Sequence, residues 1–202
     1  MTKTVALIFF MLFFISCTNL FSTREDKVEK PDPGTVSQVF LEPSEPANIM
    51  INLSRAIEGA NALEYAKLFS NPEIVSEKHF RFIGDANLIN QLIFPWTYSE
   101  EKNYFSKMIF GEDNEKPAFR FSFVDSLPAR IYSALDSVET DFMEYELKIT
   151  LPDTQKVYFG FSNFKLFKSA TANEAWYIYS WEDRAKTEAL ENSWTALKAE
   201  NQ

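Results

Sequence analysis

Apolar residues recur along this chain with two periods, and the changeover falls near Pro117. Ahead of it the spacing is helical. Ile49, Leu53, Ala56, Ile57 and Ala60 return at intervals of three and four, which predicts a helix opening at Pro46, where the missing proline N–H is not needed. Gly59 and Asn61 interrupt that stripe. Asn61 is placed to cap a second helix through Phe69, with Ala62, Tyr65, Ala66 and Phe69 inward. Ser70-Asn71-Pro72 is a stop. Lys78 to Gly84 alternates as a strand, with Phe80 and Phe82 on one side and His79 and Arg81 on the other. Ala86 to Phe94 reads as a short helical piece. Thr97-Tyr98-Ser99-Glu100 is a capping box, and the helix it opens carries Tyr104, Phe105, Met108 and Ile109.

Past Pro117 the period drops to two. Phe119, Phe121 and Phe123 alternate with Arg120 and Ser122, and Met143, Tyr145, Leu147, Ile149 and Leu151 alternate with Glu144, Glu146 and Lys148. Pro152-Asp153-Thr154 is a tight reversal that joins this arm to the next as a hairpin. In the second arm Val157, Phe159 and Phe161 hold one phase while Phe164 and Leu166 hold the other, which predicts a bulge near Ser162 or Asn163. Residues 175–182 form the last strand, and in a tail that ends in polar residues Leu190, Trp194 and Leu197 offer a short helix that packs back on the domain. Helices ahead of strands give an α+β domain, N-terminal helices packed on a curved antiparallel sheet, over about residues 46–184, with 185–202 as a polar C-terminal helix or tail.

Composition narrows the function classes. The 202 residues make one domain of ordinary size. Lys plus Arg is 20 against 29 Asp plus Glu, a net charge of -9, which argues against a nucleic-acid partner. One Cys and one His exclude an internal disulfide, a multi-cysteine metal site and a two-histidine site, so no metal and no cofactor is expected. None of the five Gly forms a phosphate-cradling loop.

The N-terminus carries an address. Val5 to Ile15 is an apolar run of 11 residues behind Lys3. A membrane-spanning helix needs ~20, so residues 1–16 read as a signal peptide. Phe14-Ile15-Ser16-Cys17 resembles the lipobox of bacterial lipoproteins, with Phe14 where that family prefers Leu. The resemblance implies cleavage before Cys17 and acylation of its thiol; the alternative is an uncleaved signal anchor. Thr18, where an Asp would favour inner-membrane retention in enterobacterial lipoproteins, points to the outer membrane by the same resemblance. Residues 17–45 then form a flexible tether with a reach on the order of 30 Å, unless Val36 to Leu41 docks on the domain as a first helical turn.

The element order resembles the NTF2-like (SnoaL-like, cystatin-like cone) superfamily. Asn52 to Ser70 is similar to its paired N-terminal helices, and Trp176, Tyr177, Ile178, Trp181 and Asp183 to the last strand of NTF2-like lipoproteins. That resemblance implies a cone whose concave face is a pocket, in a superfamily of isomerases, dehydratases, cyclases and non-catalytic modules. Enzymes such as ketosteroid isomerase place an Asp base and Tyr or acidic donors in such a pocket. Here Tyr98, Tyr145, Tyr177, Asp141 and Asp183 are the residues of that type, and no catalytic role transfers to any of them. Asp183 is read as capping a turn or pairing with Arg184 or Lys186. His79 is a general base or, by the phase of its strand, solvent-facing. Glu112-Asp113-Asn114-Glu115 lacks calcium-loop spacing and reads as a solvated turn.

The sequence therefore predicts a lipid-anchored, periplasm-facing envelope protein, held to the membrane through Cys17, whose non-catalytic domain binds a small apolar ligand or a partner protein. The alternatives are an isomerase, dehydratase or hydrolase working with carboxylate and Tyr, or a structural envelope-assembly module, as a single chain or as a homodimer through the open sheet face. A filled, all-Phe interior would remove the enzyme reading.

Overall fold

Helix α1 (Pro46–Glu58) starts on proline in its first turn and buries Ile49, Met50, Leu53, Ala56 and Ile57 along one stripe, as a spacing of three and four dictates. The computed structural model describes residues 39–110, 116–124, 131–134, 136–187 and 189–202. The leader at 1–16, Cys17, the tether as far as residue 38 and the acidic run Glu112 to Glu115 lie outside the described residues. The tether was expected either to stay flexible or to dock at Val36 to Leu41 as a helical turn; its described part, residues 39–45, is docked on the domain, without helical form. Leu41 N–H donates to Asn52 Oδ1 at 2.9 Å and Asn52 Nδ2 donates back to the Leu41 carbonyl at 2.7 Å. The Trp176 N–H donates to the Pro43 carbonyl at 2.8 Å, and Phe40 packs on the core.

Asn61 caps α2 (Ala62–Lys67) by accepting from the Glu64 N–H at 3.1 Å. Helix α3 (Tyr98–Phe110) opens on its capping box, Thr97 N–H donating to Glu100 Oε2 at 2.9 Å, and buries Glu101, Tyr104, Phe105, Met108 and Ile109. A 3-10 turn (Ile89–Gln91) stands where a short helical piece was expected. No described helix is long and apolar enough to cross a membrane.

The strands are β1 (Arg81–Ile83), β2 (Ala118–Phe123), β3 (Ile131–Ala134), β4 (Ser137–Thr140), β5 (Met143–Thr150), β6 (Gln155–Lys168) and β7 (Trp176–Ala185). They form one sheet built on β6. One edge of β6 pairs with β7; the other pairs first with β5, which carries β2, and then with β4, which carries β3. The hairpin at Pro152 forms, with Thr150 opposite Gln155. One pair breaks the antiparallel expectation. β1 runs parallel to β7, Phe82 beside Trp181, because it arrives from the helical half and joins the sheet at its edge.

The bulge is also relocated. Tyr158, Gly160, Ser162, Phe164 and Leu166 all point inward, so β6 keeps a single phase. The register shift lies between Lys165 and Leu166, where β7 skips Tyr179. Val157, Phe159 and Phe161 face out, half-buried, which is why they read as a second inward phase. Lys186 Nζ lies 5.5 Å from the Phe159 ring and 5.7 Å from that of Phe161, and the Arg184 guanidinium lies 3.7 Å from Phe142, so cations cover these outward aromatics.

The last helix, α4 (Trp194–Glu200), is the short helix that Leu190, Trp194 and Leu197 offer beyond residue 184. It is packed into the core: Trp194 and Lys198 are 0% exposed and Leu197 2%. The interior of the cone is thus closed by side chains from the C-terminus.

Candidate functional site

Two carboxylates point into that interior, and each is engaged by α4. Glu101 sits in the first turn of α3, where a helix N-terminus favours negative charge. Its two oxygens each accept from Lys198 Nζ at 2.5 Å. Tyr65 from α2 donates its hydroxyl to Oε1 at 2.5 Å, and the Trp96 indole donates to Oε2 at 2.8 Å. The pair is dry: Lys198 is 0% and Glu101 1% exposed at the side chain. Around Nζ stand the rings of Phe82 and Tyr104 at 4.4 Å, Trp181 at 4.6 Å and Trp96 at 5.2 Å. Burial pulls the Lys198 ammonium down to about 8, with Glu101 opposing that shift.

Asp183 lies on β7 and is 1% exposed. Its Oδ2 accepts from the Thr195 N–H at 2.8 Å and the Thr195 hydroxyl at 2.6 Å. Its Oδ1 accepts from the Tyr145 hydroxyl at 2.9 Å, and Tyr145 in turn accepts from the Trp194 N–H at 2.6 Å. Burial pushes the Asp183 carboxyl up to about 6, against the pull of those hydrogen bonds. Tyr145 is raised well above its usual range, by burial and then by the Asp183 charge. Gly160 lets the two meet, since a Cβ there would lie 2.7 Å from the Arg184 carbonyl and 2.9 Å from the Tyr145 hydroxyl.

Of the residues singled out in the sequence, the structure brings together Tyr145 and Asp183 and leaves the rest apart. Asp183 accepts from the Thr195 N–H in the first turn of α4 and does not pair with its neighbours. Arg184 pairs with Glu182 at 2.9 Å and Lys186 pairs with Glu144, so Asp183 is free to turn inward. Tyr98 is half-buried at the rim, where burial and the Glu73 charge raise it. Tyr177 is half-buried on the outward face of β7 and Asp141 is half-buried between β4 and β5. His79 is exposed, beside the inward Phe80. Trp181 is core, its indole donating to Ser162 Oγ at 3.0 Å. Sequence reasoning missed Glu101, Lys198 and Thr195. The available signal was the spacing of Trp194, Leu197 and Lys198, which puts the lysine on the same helical face as the two apolar residues.

Two surface hollows of about 600 and 660 Å³ lie elsewhere, lined among others by Glu77, Lys168 and Glu174 in the first and Glu42, Thr171 and Tyr177 in the second. Neither is lined by Glu101, Asp183, Tyr145 or Lys198. Among the described residues no three His, Cys, Asp or Glu side chains converge as metal ligands.

No protein-family model matches the chain, and no curated protein is matched. Among solved structures it is similar to an NTF2-like family protein from Streptomyces avermitilis named as a candidate dehydratase, with TM-score 0.51 and 8% identity over 70% of this chain and 93% of that one. It is also similar to an NTF2-like protein of unknown function in nutrient uptake from Rhodospirillum rubrum, with TM-score 0.51 and 9% identity over 70% of this chain and 98% of that one. Likeness at such identity concerns the backbone alone and assigns no activity. The fold is the NTF2-like cone, helices packed over a curved mixed sheet.

Proposed function

We propose that this chain is a lipid-anchored protein of the bacterial cell envelope, acylated at Cys17, whose cone binds rather than catalyses. The supporting observation is the closed interior. Trp194 and Lys198 fill it, and both inward carboxylates are already satisfied, Glu101 by Lys198, Tyr65 and Trp96, and Asp183 by Thr195 and Tyr145. A general base must reach a substrate proton within hydrogen-bond distance, and neither carboxylate has a free side. That favours a partner protein at the outer surface over a small apolar ligand inside, a second copy of the chain being one such partner. Cys17 and Thr18 favour a periplasm-facing site on the outer membrane.

Metabolic labelling with palmitate and mass spectrometry of the mature terminus test the anchor. Label on the wild type and none on Cys17→Ser support it; an intact precursor or a bare terminus removes it.

A second reading, an enzyme working with carboxylate and Tyr, has one observation in its favour: Asp183, pushed up to about 6 beside Tyr145 in apolar surroundings. Complementation of a deletion strain separates the two. A folded Asp183→Asn chain restores function if the cone only binds, and fails if Asp183 transfers protons.

A further inference from the structure

We propose that the cone interior is a binding site for a primary alkylammonium group, and that Lys198 is its resident ligand, delivered by α4. The receptor and the ligand belong to separate parts of the chain. Phe82 comes from β1, Glu101 and Tyr104 from α3, Trp181 from β7, Tyr65 from α2 and Trp96 from the segment ahead of α3. Four ring faces lie 4.4–5.2 Å from the ammonium nitrogen, and a cation gains from each ring quadrupole, most in a dry setting. Glu101 takes the remaining direction with both oxygens at 2.5 Å. Tyr65 and Trp96, neither of them on α4, also donate to that carboxylate.

The geometry selects within the cations. Two N–H donors are used on Glu101, so a quaternary ammonium, which has none, loses both hydrogen bonds, and a neutral alcohol loses the charge. Trp194, 0% exposed, keeps its indole N–H buried without a partner, whereas Lys198 places two of its three N–H donors on Glu101 and its nitrogen among four rings. The inference goes beyond the binding reading above and survives if Cys17 carries no lipid or if the cone turns over a substrate.

The test uses the full chain with Lys198→Ala, which removes three carbons and the nitrogen, the atoms of n-propylammonium. Unpairing the buried Glu101 should lower the melting temperature by on the order of 10 °C. Adding n-propylammonium chloride should return about half of that loss or more, because binding to the folded state alone stabilises it. Tetramethylammonium chloride, 1-propanol and sodium chloride at the same concentration should return little. The wild type should not respond, since its tethered lysine holds the seat at high effective concentration. Lys198→Met, which fills the seat with a neutral side chain, should not respond either. Where Lys198→Ala does not fold unaided, refolded yield under the same additives is the readout. Equal response to n-propylammonium and to the alcohol or salt overturns the proposal, equal failure to refold included. So does a response of the wild type or of Lys198→Met as large as that of Lys198→Ala.

Discussion

Asp183 and Lys198 face one interior from different elements, and burial shifts them in opposite directions, to about 6 and about 8. For Asp183 the folded-state value lies above its ordinary 3.8. Its contribution to stability is therefore fully present below pH ~4 and lost as pH rises through about 6. For Lys198 the folded-state value lies below its ordinary 10.5, so its contribution is present above that value and lost as pH falls through about 8. Between the two both groups are held ionised against burial. Asp183→Asn should then gain on the wild type as pH rises from ~4 to ~7, by about 3 kcal/mol for a shift of roughly two pKa units, measured as the difference between urea unfolding curves. A constant difference across that range would mean that the carboxyl is not displaced. Removing the partner of Lys198 acts at neutral pH. Glu101→Gln leaves an uncompensated buried ammonium and should destabilise by about 3–5 kcal/mol, read from the same curves.

Elements whose period the side chains declare were legible; those whose polarity misleads were not. The capping box, the Asn61 cap, the stripe of α1 and the Pro152 hairpin all appear where spacing places them, because each is a local bargain between backbone donors and nearby side chains. β6 was misread because its outward aromatics are covered by Lys186 and look like core in one dimension. The docking of residues 39–45 was left open by the sequence because its partner is a polar residue inside the stripe of α1. Asn52 is 4% exposed and satisfies both backbone groups of Leu41. Asn52→Ala strands a backbone donor and acceptor at once, and should destabilise by about 1–3 kcal/mol while opening residues 39–45 to protease ahead of global unfolding. Unchanged cleavage there would mean that the remaining bonds, Trp176 to Pro43, Asn48 to Glu42 and Arg55 to Val39, hold the strap without Asn52.

At the scale of the whole molecule the question is whether the cone is complete without α4. The sequence reading ends the domain near residue 184, and a cone of helices and strands alone has an apolar mouth. In this chain Trp194 stands edge-on to Trp181 at 4.7 Å, to Tyr145 and Phe121 at 5.4 Å, joining both halves of the sheet to one ring. Thr195 links Asp183 to the Asp85 N–H, to which its hydroxyl oxygen accepts at 2.9 Å. Gln202 ties the terminus back to Ile93 and Gln91. Cutting the chain after Ser193 would expose Trp181 and Tyr145, unpair Glu101 and leave Asp183 without its Thr195 donors. Each of these alone is a loss of a few kcal/mol, against a total stability of ~5–15 kcal/mol. The truncated chain should keep far-UV ellipticity, lose near-UV signal and bind an apolar dye, the behaviour of a collapsed chain without fixed packing. A truncated chain with native near-UV bands and a cooperative transition would show instead that the interior tolerates an open mouth, and that α4 is a removable lid on a cone able to stand by itself.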